Sequence, residues 1–158
     1  MSAIGPAPSL IEAATRRPAA RALHALVRAW HGIDLDEHRW TPDLPVPPEL
    51  ARLLPHQTVL CRQHHLVLPE PDTEDPDRWV FCVDNQGRAR WAYDADDGTD
   101  PCVAWQADEN EEWLDEALRL DDFLLTLVLT EATIGGSYRN GGYTSTLAPR
   151  RSRQPLRH

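Results

Sequence analysis

The sequence predicts an α+β domain, with a central antiparallel or mixed β-sheet packed by N-terminal and C-terminal helices. Three observations carry that expectation. Leu23, Leu26, Val27 and Trp30 recur at the spacing of one helix face. WVFCVD (79–84) and RARWAY (88–93) flank Asn85-Gln86-Gly87, the turn chemistry of a β-hairpin. LDDFLLTLVLTEATIGG (120–136) is a helical run with almost no polar face, so other structure must cover it. The chain has 158 residues, 41% of them hydrophobic, which suits one domain with a core.

Taken in order, residues 1–17 are rich in Ala, Pro and Ser and read as weakly ordered. The single domain is expected over 18–136. Pro18 can occupy the first turn of the first helix, and Gly32 can end it. His24 and His31 lie off its apolar stripe and read as solvated. From Gly32 to Pro48 the chain is a proline-rich connector. Pro48 can open a short helix with Leu50, Leu53 and Leu54 inward, and Pro55 stops it. TVLCR (58–62) and HHLVL (64–68) read as strands, with PEPDTEDPD (69–77) as an exposed acidic loop. The hairpin at 79–93 follows, Gly87 supplying a positive φ at its turn. CVAW (102–105) adds a third strand to an antiparallel meander. In the last helix Asp121 is placed as N-cap, and Gly135 as terminator. Leu124, Leu127 and Val128 are expected against the sheet that carries Val83 and Trp91. Residues 137–158, glycine-rich and then basic, read as a flexible tail.

Charge narrows the function. The formal net charge is −9, which argues against nucleic-acid binding, since that needs a basic footprint. Residues 84–122 hold thirteen acids and three bases, and the rest of the chain is close to neutral. No apolar run approaches the roughly 20 residues of a membrane helix, so no membrane is expected as a partner. No basic segment leads into an apolar one near the N-terminus, so no secretory signal is expected. Cys61, Cys82 and Cys102 are few and odd in number, as free thiols in a reducing cytoplasm would be. A cytoplasmic location follows as the expectation.

Several chemistries can be weighed on spacing. DADDGTD (94–100) places four aspartates within seven residues. Read as a calcium loop from Asp94, it puts Gly98 one place early and Trp105 where a closing glutamate belongs. A turn with solvated acids explains it better. Cys61, His64 and His65 form C-x2-H-H, but no second ligand pair completes a zinc signature. On a strand, His64 and His65 also point to opposite faces. IGGSYRNGG follows a helix and lacks the strand–loop–helix setting of a phosphate cradle. No metal, cofactor or catalytic residue is therefore expected.

What remains is an acidic face with aromatic neighbours. Such a face steers and holds a basic protein partner. The candidate partner-binding residues are Asp94, Asp96, Asp97, Asp100, Asp108, Glu109, Glu111 and Glu112, with Trp105 and Trp113 as anchors.

VDNQG (83–87) followed by Trp91, then DDGTDPCVAW (96–105), then LRLDDFLLTLVLTEA (118–132), together resemble the SUKH superfamily, the SMI-KNR-like group. PPELARLL (47–54) and QHHLVLPE (63–70) fall where such proteins place a short helix and a strand. The likeness covers residues 20–134. Asp84 stands where a Glu is more usual, and Thr99 and Cys102 interrupt an Asp-Asp-Pro-Pro pattern. The resemblance implies an α+β domain that acts by binding. Many bacterial members are immunity proteins that neutralise a polymorphic toxin, often a nuclease, by stoichiometric binding. A cognate toxin domain is then the expected partner, and a monomer the expected state. A regulatory adaptor is the alternative of the same kind. A small metal- or thiol-dependent enzyme using Cys61, His64 and His65 is the alternative of a different class.

Overall fold

The computed structural model describes residues 3–5, 16–37, 39–108 and 111–139. It is an α+β fold built on a five-stranded antiparallel sheet with helices toward both ends of the chain. The elements in order are β1 (Ala3–Gly5), α1 (Pro18–His31), β2 (Arg39–Thr41), α2 (Pro48–Leu53), a 3-10 turn (Leu54–His56), α3 (Gln57–Leu60), β3 (His64–Pro71), β4 (Arg78–Asp84), β5 (Arg90–Asp94), β6 (Cys102–Gln106), β7 (Leu114–Arg119) and α4 (Leu120–Arg139). Strands β3 to β7 pair in sequence order as a meander. Every connection within the sheet is therefore local.

Helix α1 has the predicted bounds. Gly32 ends it at φ 67°, donating its N–H to the Arg28 carbonyl at 2.9 Å, which is the left-handed cap that glycine adopts without a Cβ penalty. Leu23 and Val27 are fully buried, but Trp30 at the end of the stripe is 49% exposed. Helix α1 packs chiefly on α4. Leu120, Phe123, Leu124, Leu127 and Val128 of α4 are buried in the same core as Phe81, Tyr93 and Val103 of the sheet. Phe123 meets Phe81 edge-on at 5.4 Å and Trp91 at 5.9 Å. Trp91 thus faces α4 as expected. Val83 does not: it pairs with Arg90, on the opposite face from Trp91.

Other expectations are corrected. Residues 58–60 are helical, not a strand. The 3-10 turn carries Pro55 without needing its missing donor, and the chain coils on until Cys61 turns extended. Gly135 does not end α4, which continues to Arg139. Asp121 lies inside the first turn of α4, and its own N–H is accepted by the Asp100 carboxylate at 2.9 Å. The capping oxygen therefore comes from the loop before β6, and not from the helix's own first residues. Within 1–17, residues 3–5 form β1, paired antiparallel with β2 in the connector. Strand β7 was not expected: LDEALR shows no alternation, because its pairing is broken by a bulge between the partners of Cys102 and Ala104.

His24 is not solvated. It sits among Arg16, Asp36, Glu49 and Arg52, with Nε2 2.5 Å from Glu49 and Nδ1 3.6 Å from Asp36. Arg16 reaches Asp36 at 2.8 Å and Arg52 reaches Glu49 at 3.0 Å. This cluster ties α1 and α2 to the connector between them.

Candidate protein-binding surface

The acidic segment occupies the β5–β6 turn, the loop after β6, edge strand β7 and the start of α4. The fold already uses part of it. Asp94 accepts the N–H of Asp96 at 3.0 Å, a local turn bond. Asp97 accepts the Cys102 N–H at 2.8 Å and lies 3.5 Å from Arg119. The backbone donor of Cys102 is the main reason its carboxyl is held below the usual range. Asp100 is only 13% exposed and lies between the Asp121 N–H and Arg17, 3.8 Å away. Asp121, 1% exposed, is raised to about 6 by burial and by the neighbouring charges of Asp100 and Glu49, against the pull of Arg17.

The rest of the segment faces solvent. Asp96, Asp108, Glu111 and Glu112 are exposed. Among the described residues their side chains have no cationic partner within ion-pair distance, and neither has Asp94. Glu109 lies outside the described residues. Asp115 and Asp122, which are not among those candidates, are exposed in the same segment.

The two candidate anchors are half-buried. Trp105 pairs with Trp91 across β5 and β6, on the face toward α4. Trp113 lies over the opposite face, with the guanidinium of Arg90 5.2 Å and that of Arg78 5.8 Å from its ring. Beneath it, Arg90 donates to Asp72 at 2.8 Å and to Gln106 at 2.6 Å, and Gln106 donates to the Glu111 carbonyl at 2.6 Å. Asp72, expected in an exposed loop, is buried here. Burial pushes its carboxyl up, but the bonds and charge of Arg90 outweigh this and hold it low. Arg90 and Asp72 thus fasten two loops to the outer face of the sheet.

That outer face is closed by Trp113 over β5–β6 and open over β3–β4. The open part is a groove of about 740 Å³, bordered by Val67, Val80, Val83, Glu70, Glu74 and the Arg90–Asp72 pair. The size is that of ligand-binding clefts, roughly 300–1,000 Å³. Sequence reasoning missed it because its floor joins residues of two strands with a bulge between Leu66 and Glu70.

The Cys61, His64 and His65 trio diverges. His65 pairs with Val83 on the outer face. His64 stacks edge-on with Trp91 at 5.4 Å and places Nδ1 2.9 Å from Glu131. Glu131, buried to 2% exposure, also accepts the N–H groups of Arg62, Gln63 and His64 at 2.8 to 3.1 Å. These donors hold its carboxyl low despite burial. The Cys61 thiol is pushed up to about 12 by burial, with Glu131 adding to the effect. It stays protonated, the opposite of an activated nucleophile. Among the described residues no group of three or more His, Cys, Asp and Glu side chains is placed to hold a metal ion, and no helix is long and apolar enough to cross a membrane.

Comparison of the chain with protein-family models, with curated proteins and with solved structures finds no match to any of them.

Proposed function

We propose that this chain is a non-catalytic binding protein, an immunity protein of the kind its sequence resembles, which blocks a basic toxin domain by stoichiometric association. The observation that supports this most is the unneutralised part of the acidic segment. Asp94, Asp96, Asp108, Glu111 and Glu112 stand in solvent with no cationic partner among the described residues, after Asp97 and Asp100 have been taken up by the fold. Carboxylates left unpaired on one stretch of chain raise the encounter rate with a basic surface and reject an acidic one. A regulatory adaptor would use the same surface.

The test replaces Asp96, Asp108, Glu111 and Glu112 by Asn or Gln, sparing Asp97 and Asp100 because they hold backbone groups. A partner captured from the source cell supplies the binding assay. The wild type should associate more slowly as salt rises, because the screening length falls from about 10 Å at 0.1 M to about 3 Å at 1 M. The fourfold variant should associate about tenfold more slowly at low salt and unfold at the same denaturant concentration. An unchanged association rate across that salt range removes the acidic segment from the interface.

A further inference from the structure

The groove on the outer face has an apolar floor and an acidic wall. Val80 and Val83 lie on the face turned away from α4, and Val67 and Pro71 border them. Glu70 pairs with Val80 across β3 and β4, so its side chain rises from that same face. Glu74 stands beyond it in the loop. Both glutamates are exposed, and among the described residues neither side chain has a hydrogen-bond or ion-pair partner. Arg90 does not neutralise them, because its guanidinium is committed to Asp72 and Gln106. Counting Asp72 and Arg90 as a closed pair, the groove offers aliphatic surface and two carboxylates that no described residue neutralises.

We infer that this groove receives an extended segment of the basic protein partner, a lysine or arginine lying with its aliphatic stem over Val80 and Val83 and its charge at Glu70 and Glu74. Long basic side chains combine these two properties: the methylene stem buries on apolar surface while the head keeps its polar contacts. An acidic or purely apolar segment would leave one half of the groove unmatched. The inference rests on the reading of the chain as a binder of a basic protein, and adds a second contact on the far side of Trp113.

The probe is a short synthetic peptide alternating valine with lysine and arginine, titrated into the isotope-labelled full chain and followed by amide NMR. Shifts are expected at Val67, Glu70, Val80 and Val83. Glu70→Gln with Glu74→Gln, both on exposed side chains, should weaken the peptide about fivefold, the scale of two exposed charge contacts. A peptide with glutamate in place of the basic residues should shift nothing there. The groove assignment is overturned if the basic peptide leaves these amides unmoved, if the double variant binds it equally well, or if only the fourfold acidic-segment variant weakens it. That last result would leave the acidic segment as a binding surface while removing the groove. The converse, a peptide bound in the groove and a partner indifferent to the acidic segment, would do the reverse.

Discussion

Ala117 is the described non-glycine residue with a positive φ, 58°. It sits in the bulge of β7, where its N–H donates to the Asp115 carboxylate at 2.7 Å. A left-handed conformation costs an L-residue roughly 1–2 kcal/mol, a cost glycine does not carry. Ala117→Gly gives back part of that through the freer unfolded chain. The expected net gain is about 0.5–1 kcal/mol by denaturant titration, and a loss would mean that the bulge is held by the methyl group. Glu131 marks the opposite case, a residue that cannot be spared. Its carboxylate serves three backbone N–H groups and His64 in a buried place. Glu131→Ala leaves those donors unpaired, and each such buried group costs about 1–3 kcal/mol. A loss of at least about 3 kcal/mol is therefore expected, with a loss under 1 kcal/mol showing that water replaces the carboxylate. Nothing in the sequence marks Glu131, which is one acid inside an apolar run. Its role appears only when the turn at 61–64 is brought against α4.

Helix α4 is apolar nearly all round, yet it buries one side only. Leu124 is fully buried between α1 and the sheet, while Leu129 is 53% exposed. Leu124→Ala should cost about 2–5 kcal/mol, the range for a core leucine. Leu129→Ala should stay within about 0.5 kcal/mol. Equal losses would mean that the helix packs on another face. This helix, α1 and the hairpin β4–β5 were legible because each carries its signal within a dozen residues: an apolar stripe, a cap glycine, an alternating strand pair about a turn. What was not legible depends on partners far along the chain. Strands β1 and β2 pair across more than thirty residues, and β7 is disguised by its bulge. The helix at 57–60 reads locally as a strand because Thr58, Val59 and Leu60 favour that form, and the helical turns continuing from Pro48 override them. The acidic character of the candidate site was plain in composition. Which acids are free was not, because Asp100 reads like its neighbours until it is seen capping α4. The two edge strands show a shared device. Strand β3 carries Pro69 and a bulge, and β7 carries Asp115, Glu116 and a bulge, features that blunt edge-to-edge pairing with other chains.

At the scale of the molecule, the carboxylates divide by how folding shifts them. Asp34, Asp72, Asp84, Asp97 and Glu131 are held below their ordinary values. They stabilise the fold above the ordinary carboxylate range and lose that contribution as pH falls through their folded values. Asp121 runs the other way. Its folded value of about 6 lies above the ordinary 3.8, so between the two the folded state keeps a proton that the unfolded state has released. Stability therefore falls as pH rises across that window, and above it the ionised, buried carboxylate carries the full cost, about 3 kcal/mol. Asp121→Asn should remove the fall. Its stability relative to the wild type should grow from about pH 4 to about pH 7 and then level off. Denaturant unfolding of both proteins over that range checks it, and parallel curves would place the ionised Asp121 in a better-solvated setting than its burial indicates.

The meander has a consequence for how the chain is made. A ribosome delivers β3 to β7 before α4, and each strand can pair with the one just synthesised. Phe81, Tyr93 and Val103 then stand on one side of a nascent sheet whose covering helix has not yet left the exit tunnel. For that interval the growing chain displays a sticky aromatic surface, since α1 packs chiefly on α4 and only the turn and short helix at 54–60 lie against the sheet edge. Chaperone capture should therefore peak while residues 90–120 are outside the tunnel, and end when α4 emerges and closes over them.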